Sequence, residues 1–409
     1  MISGVDRDVV LEKILRKQTG EVDGKAAITR MLYGSLRNFL PLRKAIKSLG
    51  RQKKLPKEIE PLVIMTLYQI GYMDSIPNYA ALNEGLSLIP RKFGRLKGYI
   101  TWLCHEFLRN PEHFINSRSS FFPEWYTQSL EKSLGEGMVG QMEERFLRSP
   151  PVYFESFEKD MACERFLRIF PRHNIFRSEN LSKNEREDLE SGGAVVCDLF
   201  SLLIPGFFSG AKEGRYLDLC SSPGGKLLKA LHLFPDLEFH AVEMAQGRME
   251  RLRARLKRSP LEKGQVSLHE MEGVEFLKKS KSRGDCFARI LLDAPCSALG
   301  TVISHPEYLL LKDQGGVKNL PLVQKDLLQA ALEVLEPGGE LIYSVCTFVH
   351  EETEGHFLND FDGSGLEVQS LNQTHWEGSH PARFGTYLLP SREGNQVFYV
   401  TKLKKGFVD

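Results

Sequence analysis

The chain has 409 residues, more than one ordinary hydrophobic core holds, so we expect two or three domains. Its 42% hydrophobic and 26% charged residues are typical of a soluble globular protein, and no apolar run approaches the roughly 18 to 20 residues of a membrane span. The formal net charge of +1 neither requires nor excludes a nucleic-acid partner, so local clusters of charge must decide.

The N-terminal segment and the cysteines predict a cytoplasmic protein with reduced thiols. The segment MISGVDRDVVLEKILRKQ is charged and amphipathic and lacks the apolar block of a secretory signal. The seven cysteines are an odd number and stand as single residues, which argues against a disulfide framework. They show no paired Cys/His spacing typical of zinc, so we expect no metal site.

Residues 1–112 are predicted to form an all-helical domain. Apolar residues recur at helical spacing in the segments VLEKILRKQ, AAITRMLYGSLRNFLPLRKAIKSL, EIEPLVIMTLYQIGYM and YAALNEGLSLI. Positive charge gathers in two stretches, residues 43–57 and 91–97. These stretches are either solvated helix ends and loops or contacts with an RNA backbone, and the sequence leaves both interpretations open.

Residues 113–205 predict a small α+β connector, with short aromatic and β-branched runs between polar turns. Residues 206–409 alternate apolar strands with helical patterns, which is typical of a doubly wound, Rossmann-like α/β sheet. Ligands of such sheets bind at the carboxyl ends of the strands. The predicted strands are RYLDLC, EFHAVE, QVSLHE, ARILLDAP, GGELIYSV and QVFYVTKL.

The segment LDLCSSPGGKLL predicts a strand, a tight loop and a helix. Its glycines allow the backbone to approach a ligand closely, and the N-terminus of the following helix offers free N–H groups. The next predicted strand ends at Glu243, where doubly wound folds place an acid that accepts hydrogen bonds from ribose hydroxyls. Together they predict a site for a nucleotide-like cofactor. The loop does not match GxxxxGK[ST], so a phosphate cradle is not predicted.

Two further strands end in motifs that contain cysteine. One motif is Asp293-Ala294-Pro295-Cys296, and the other ends in Cys346. Each cysteine alone is more simply interpreted as a small buried hydrophobic residue. Because both follow strands of one predicted sheet, near an acid and a cofactor loop, the pair favours chemistry.

The motifs DLCSSPGGK, LLDAPCSALGT and YSVCT resemble those of S-adenosylmethionine-dependent RNA cytosine-5 methyltransferases. The segments TRMLYGSLRNF, TLYQIGYMDSIP and NYAALNEGLSL resemble the NusB-like RNA-binding domain fused to this enzyme in bacterial 16S ribosomal RNA methyltransferases. The resemblance covers nearly the whole chain. It implies an all-α NusB-like domain at 1–112, the connector at 113–205 and a methyltransferase domain at 206–409.

The resemblance also implies roles for individual residues. Cys346 corresponds to the family's nucleophile and Cys296 to the cysteine that assists product release, while Asp293 holds the base edge and Lys226 sits near the reacting groups. The residues implied to bind S-adenosylmethionine are Cys220, Ser221, Ser222, Pro223, Gly224, Gly225, Lys226, Glu243, Glu272 on the adenine side, and Asp293.

The chemistry explains why two cysteines are needed. Cytosine C5 is a weak nucleophile, and addition of a thiolate to C6 turns it into an enamine-like carbon that can take a methyl group. A second group must then remove the C5 proton so that the thiolate can leave. An ionised thiol is favoured near helix N-termini and beside a cationic sulfonium.

Several departures from the family pattern bear on the particular RNA site more than on the reaction. Glu243 stands where the family usually has Asp, GAVVCDLFSLL lacks a glutamine before its Asp, and TVISHPEYL lacks an arginine pair. SPPVYFES lacks the usual Arg and Asn.

The sequence therefore predicts a monomeric enzyme that methylates cytosine C5 in structured RNA, with 16S ribosomal RNA or an immature small subunit as the expected partner and no membrane. The target base must leave its stack, and binding should weaken steeply with salt. Two alternatives stay open, a transfer RNA cytosine-5 methyltransferase and an inactive RNA-binding assembly factor.

Overall fold

The computed structural model describes residues 25–50, 54–109, 120–157, 166–170, 174–179, 181–191, 193–209, 213–260, 266–311, 319–357, 365–369, 371, 378–391 and 393–407. The chain divides into two compact units, one comprising Met1–Gln128 with His305–Leu311 and the other Ser129–Ser304 with Lys312–Asp409. Within the described residues, no helix combines the length and the apolar character that a membrane span requires.

The first unit is helical, as the apolar spacing predicts. Its core includes Leu67, Leu103 and Phe107, which are fully buried. The predicted segment VLEKILRKQ and part of the basic stretch 43–57 lie outside the described residues. The helices of this region are α1 (Lys25–Arg37), α2 (Phe39–Leu49), α3 (Glu60–Tyr72), α4 (Asn78–Ser87) and α5 (Lys97–Arg109), followed by α6 (Glu124–Leu134) and α7 (Met138–Phe146).

The long apolar segment at residues 26–49 forms two helices rather than one. Helix α1 ends at Arg37 and α2 begins at Phe39, with Asn38 between them. Asn38 Nδ2 donates to Gly34 O at 2.9 Å, so its side chain bonds the preceding turn. Pro41 stands in the first turn of α2, where a helix leaves backbone N–H groups unbonded. These two residues account for the break.

The connector contains a small antiparallel sheet with the strand order β2-β3-β1-β4. Its own core includes Phe154, Phe176 and Val196, which lie on β1, β3 and β4. The elements are β1 (Val152–Ser156), β2 (Leu167–Phe170), β3 (Ile175–Ser178), α8 (Lys183–Ser191) and β4 (Ala194–Cys197). The predicted α+β character of this segment matches these elements.

A nine-stranded sheet organises the rest of the described chain, in the order β11-β12-β13-β9-β8-β5-β6-β7, with β10 also paired to β13. All six predicted strand segments form strands of this sheet. The strands are β5 (Arg215–Leu219), β6 (Glu238–Val242), β7 (Val266–His269), β8 (Phe287–Asp293), β9 (Leu335–Val345), β10 (Leu366–Gln369), β11 (Ser379–Pro381), β12 (Thr386–Leu388) and β13 (Phe398–Lys405). The helices of this part are α9 (Leu199–Leu203), α10 (Gly225–Leu233), α11 (Gln246–Arg258), α12 (Gly273–Arg283) and α14 (Leu320–Glu333). The short helix α13 (Tyr308–Leu311) belongs to the first unit.

The order of the strands determines where a ligand can bind. Strands β7, β6, β5, β8 and β9 run parallel, whereas β13 is antiparallel to β9. The chain passes from β5 outward to β6 and β7 and then returns to place β8 on the other side of β5. This reversal creates a crevice at the carboxyl ends of β5 and β8, which is where doubly wound sheets bind ligands.

The connector sheet is tied to the nine-stranded sheet and its helices within the second unit. Lys229 of α10 forms an ion pair with Glu155 of β1, and both side chains are almost completely buried. The Tyr153 hydroxyl donates to Glu393 at 2.9 Å and accepts from the backbone N–H of Gly394 at 2.7 Å. The domain boundaries at residues 112 and 205 stay predictions.

Candidate active site

The loop after β5 has a tight backbone conformation that depends on its two glycines. Cys220 has a φ of 63° and Gly224, which precedes α10, has a φ of 91°. A Cβ at Gly224 would lie 2.5 Å from Leu252, and one at Gly225 would lie 3.1 Å from the sulfur of Cys197. The glycines therefore allow the tight turn and the close packing that bring the start of α10 to the crevice.

A cavity opens at this loop, and it is lined by every residue of the predicted cofactor loop and by Asp293. Its walls also include four residues that the sequence did not predict for the site, Cys197, Ser201, Asp218 and Arg255. The lining residues are Cys197, Ser201, Asp218, Cys220, Ser221, Ser222, Pro223, Gly224, Gly225, Lys226, Arg255 and Asp293.

Glu243 directly follows β6 and provides a buried acceptor. Its backbone N–H donates to His269 O at 3.1 Å, and its Oε1 accepts from the Ala245 N–H at 3.0 Å. The residue is 4% exposed, and Oε2 has no hydrogen-bond partner within the described part of the chain. A buried oxygen without a partner is costly, so a hydroxyl donor from a ligand would satisfy it. Glu243 therefore suits the ribose role that the sequence predicts.

Asp218 is a buried acid inside the apolar strand β5. Ser221 Oγ donates to Asp218 Oδ2 at 2.7 Å, while Oδ1 has no partner among the residues that the structure describes. Burial raises the pKa of Asp218 to about 7, and the nearby Asp293 charge also raises it, against the hydrogen bond from Ser221. An acid in the apolar run RYLDLC is the sequence signal that could have identified this residue.

Lys226 and Asp293 form an ion pair at the end of the crevice. Lys226 Nζ lies 2.8 Å from Asp293 Oδ2, and Ser344 Oγ donates to Asp293 Oδ1 at 2.7 Å. Burial alone would lower the pKa of Lys226, but the charge and hydrogen bond of Asp293, with a smaller contribution from Cys346, raise it above the ordinary value. Lys226 thus keeps its charge beside the carboxylate. Ser344 was not predicted, although the parallel register places it opposite Asp293.

The two predicted cysteines meet at this end of the sheet. Cys296 follows β8 and Cys346 follows β9, and their sulfur atoms lie 3.4 Å apart. The hydrogen bond with Cys346 and burial raise the pKa of the Cys296 thiol well above its ordinary value. Cys296 is therefore a thiol at neutral pH, with a hydrogen that it can share with Cys346.

Two residues near the site have local roles that the sequence did not predict. Glu272 caps α12, because its Oε2 accepts from the Glu275 N–H at 2.8 Å, and it is not among the residues that line the cavity. Its predicted contact with adenine stays a prediction.

Cys197 stands directly before Asp198, at the position where the family's glutamine is missing. Burial raises the pKa of this cysteine to about 12, so it presents a neutral thiol to the cavity.

Family models match both ends of the chain. Residues 208–404 match the model described as 16S rRNA methyltransferase RsmB/F. Residues 5–99 match the model of the NusB family. Both matches agree with the resemblance drawn from the motifs.

The chain is also similar to curated ribosomal RNA methyltransferases and to solved structures. The chain is 26% identical to ribosomal RNA small subunit methyltransferase B of Erwinia tasmaniensis, over 95% of this chain and 92% of that protein. It is 26% identical to the protein of that name from Escherichia coli, over 96% and 93%. Among solved structures, PH0851 matches with a TM-score of 0.75 at 16% identity over 98% of this chain and 95% of that one. NSun6 from Pyrococcus horikoshii with SFG matches with a TM-score of 0.56 at 18% identity, over 69% and 98%.

Proposed function

We propose that the protein methylates C5 of a cytosine in 16S ribosomal RNA, because residues 208–404 match the model of the 16S rRNA methyltransferase RsmB/F family and residues 5–99 match the model of the NusB family. The enzyme is an S-adenosylmethionine-dependent methyltransferase. The observation that supports cytosine C5 is the pair of thiols, 3.4 Å apart, at the ends of β8 and β9. Its work on ribosomal RNA would take place in the cytoplasm.

The residues of the crevice fit the cofactor. The loop from Cys220 to Lys226 and the free N–H groups at the start of α10 would hold it, and the unpaired Oε2 of Glu243 would accept from a ribose hydroxyl. Once bound there, S-adenosylmethionine supplies an electrophilic methyl group. Glu272 is proposed on the adenine side from the family pattern alone.

Cys346 is the proposed nucleophile. Its thiolate adds to C6 of the cytosine, so that a sulfur–carbon bond forms and the electron pair of the C5–C6 double bond becomes available at C5. The carbon C5 then takes the methyl group. Lys226, whose pKa is raised chiefly by Asp293 and to a smaller extent by Cys346, would provide positive charge that favours the thiolate.

Cys296 is the proposed group for the release step. Because its pKa is raised, Cys296 holds a hydrogen that it can donate to the departing Cys346 sulfur at 3.4 Å. The Cys296 thiolate that remains takes the proton from C5, the C5–C6 double bond forms again, and the Cys346–C6 bond breaks. Both cysteines end the cycle as thiols, and the product is 5-methylcytosine.

Asp293 is proposed to hold the N3 and N4 edge of the base. Its two oxygens are fixed by Lys226 and Ser344, and each carboxylate oxygen has a second lone pair. One can accept from the N4 amino group, and the other from N3 once that nitrogen is protonated during the addition. The fixed carboxylate would orient the ring so that C6 faces Cys346.

The direct test is to incubate the protein with labelled S-adenosylmethionine and unmodified 16S ribosomal RNA, both free and in immature small subunits. Nucleoside digestion and mass analysis would find the label in 5-methylcytidine, and partial digestion would locate the position. Transfer RNA serves as the comparison substrate. Label in transfer RNA alone would replace the proposed substrate, and cofactor binding without any label would favour an inactive assembly factor.

A further inference from the structure

We infer that Glu352 is a positioning residue that holds the two reactive cysteines in register with each other, an inference that rests on the proposed function. Glu352 lies six residues beyond Cys346, at the end of a 3₁₀ turn (His350–Glu352), and it is fully buried. It does not line the cofactor cavity, yet its carboxylate bonds the loops that carry both thiols.

The carboxylate first fixes the residue that follows Cys296. Glu352 Oε1 accepts from the Ser297 N–H at 2.8 Å, and Glu352 Oε2 accepts from the Ser297 hydroxyl. The Ser297 hydroxyl also lies 2.9 Å from Thr347 Oγ1, and Thr347 directly follows Cys346. One buried carboxylate is thus linked to the neighbours of both cysteines.

A second set of contacts fixes the residue that precedes Cys296. Gln324, which is buried on α14, donates from Nε2 to Glu352 Oε1 at 3.0 Å and to Pro295 O at 2.9 Å. Gln324 Oε1 lies 2.8 Å from His356 Nε2, which fixes the orientation of the amide. Cys296 is therefore flanked on both sides by groups that bond the same glutamate directly or through Gln324.

The charge of the Glu352 side chain strengthens this arrangement. The partners of Glu352 named above are neutral donors, and a hydrogen bond to a carboxylate is roughly twice as strong as one between neutral groups. A buried carboxylate with neutral partners costs free energy that an apolar residue would avoid. A requirement for a fixed distance between the two thiols would explain why a buried carboxylate stands at this position.

The backbone keeps the two loops together without Glu352. The Gly300 N–H donates to Cys346 O at 3.0 Å, and the Val397 N–H donates to Gly300 O at 2.8 Å. A change at Glu352 should therefore alter the orientation of Cys296 rather than separate the loops. Release, which needs both sulfurs, should suffer more than the addition of Cys346, which needs one.

The test is Glu352→Gln, which keeps the shape but removes the charge and one acceptor. Glu351→Gln is the matched control, because Glu351 is exposed and stands beside it in the chain. Single turnovers on the RNA substrate, stopped with detergent, separate the rate of adduct formation from the rate of adduct release. Because a misplacement of about 1 Å can cost on the order of 100-fold, we expect release to slow by 10- to 100-fold, with adduct formation within about threefold of the wild type.

A second variant covers the case in which Glu352→Gln does not fold. Ser297→Ala removes the hydroxyl that links Glu352 to Thr347 but keeps the N–H bond, so it should slow release by roughly threefold to tenfold through the same path. In the double variant the effect should not exceed that of Glu352→Gln alone, since both changes break one network.

The outcomes separate this inference from the proposed function. Equal slowing of formation and release, or slowing that follows only the loss of folded protein in a thermal melt, would reduce Glu352 to a structural residue. Wild-type release in both variants would overturn the inference while 5-methylcytidine is still made. Methylation that survives in Cys346→Ala would overturn the assigned nucleophile, and the inference with it. Absence of 5-methylcytidine from the wild-type reaction would overturn the proposed function itself.

Discussion

Cys296 Sγ lies 3.4 Å from Cys346 Sγ although 50 residues separate them in the chain. The contact follows from the sheet, because β8 and β9 are parallel neighbours and Asp293 pairs with Ser344 just before the two cysteines. Because the two thiols lie so close together but have different proposed roles, we expect removal of each one to have a different effect on the reaction.

Cys346→Ala should abolish both the RNA adduct and the methylated product. Without the thiol no bond to C6 forms and C5 stays a poor nucleophile, so the rate should fall by about 10³-fold or more. Methyl transfer from labelled S-adenosylmethionine measures the product, and a denaturing gel measures the adduct. A variant that still methylates would require another nucleophile.

Cys296→Ala should form the adduct and fail to release it. Removing this thiol takes away both the donor to Cys346 and the proposed acceptor of the C5 proton, so product formation should fall by roughly 10²- to 10⁴-fold. Protein that migrates with RNA on a denaturing gel should accumulate. Cys286→Ala is the control, because Cys286 belongs to the loop before β8, at the opposite end of that strand. Normal turnover without adduct would mean that Cys296 is structural.

Ser344→Ala should lower kcat with little change in cofactor binding. The substitution removes the 2.7 Å hydrogen bond to Asp293 Oδ1 and leaves the Lys226 bond to Oδ2. A hydrogen bond to a charged group contributes about 1.5–3 kcal/mol, so kcat should fall roughly 10- to 100-fold. Steady-state kinetics and calorimetric titration with the cofactor separate the two quantities. A change in cofactor affinity alone would contradict the assigned role.

Glu243→Gln should weaken cofactor binding. Glutamine keeps one oxygen but places an NH₂ group where Oε2 now lacks a partner, and this group cannot accept from a hydroxyl. The dissociation constant should rise by about 10-fold or more. Calorimetric titration measures it, with Glu250→Gln on the exposed side of α11 as the control. Equal affinities of the two variants would exclude Glu243 from the ribose site.

Asp218→Asn should change how stability depends on pH. The pKa of Asp218 is raised from 3.8 to about 7, so between these values the folded protein keeps a proton that the unfolded chain has lost. Stability therefore falls as pH rises through this window, by at most about 4 kcal/mol from this group. The asparagine variant should be relatively more stable at pH 8 and show a weaker pH dependence between pH 5 and 7 in thermal melts. Identical slopes in both proteins would contradict the raised pKa.

The sequence predicts those parts of the site that depend on strand order. The loop after β5, Glu243 after β6 and the two cysteines after β8 and β9 all stand where parallel strands end, so their convergence follows from the sheet. The break at Asn38 cannot be read from the sequence pattern, because helical spacing continues across it. Periodicity does not register a side chain that bonds the turn before it.

Other features depend on contacts that no local pattern encodes. Asp218 has a raised pKa because of its burial, Ser344 meets Asp293 through the register of two strands, and Glu352 meets Ser297 across 55 residues. Glu272 shows that one sequence pattern can have two meanings. An acid before a glycine can bind a ligand or cap a helix, and Glu272 caps a helix here. Such choices are made by tertiary packing.

The buried pair of Lys229 and Glu155 has a practical consequence for protein engineering. A fragment trimmed to residue 206 would keep Lys229 on α10 but lose β1 and its glutamate. Leaving one partner of such a pair alone typically costs about 3–5 kcal/mol, which is a large share of a domain's stability. Anyone isolating the catalytic half for use as a tool should therefore start the fragment before Val152.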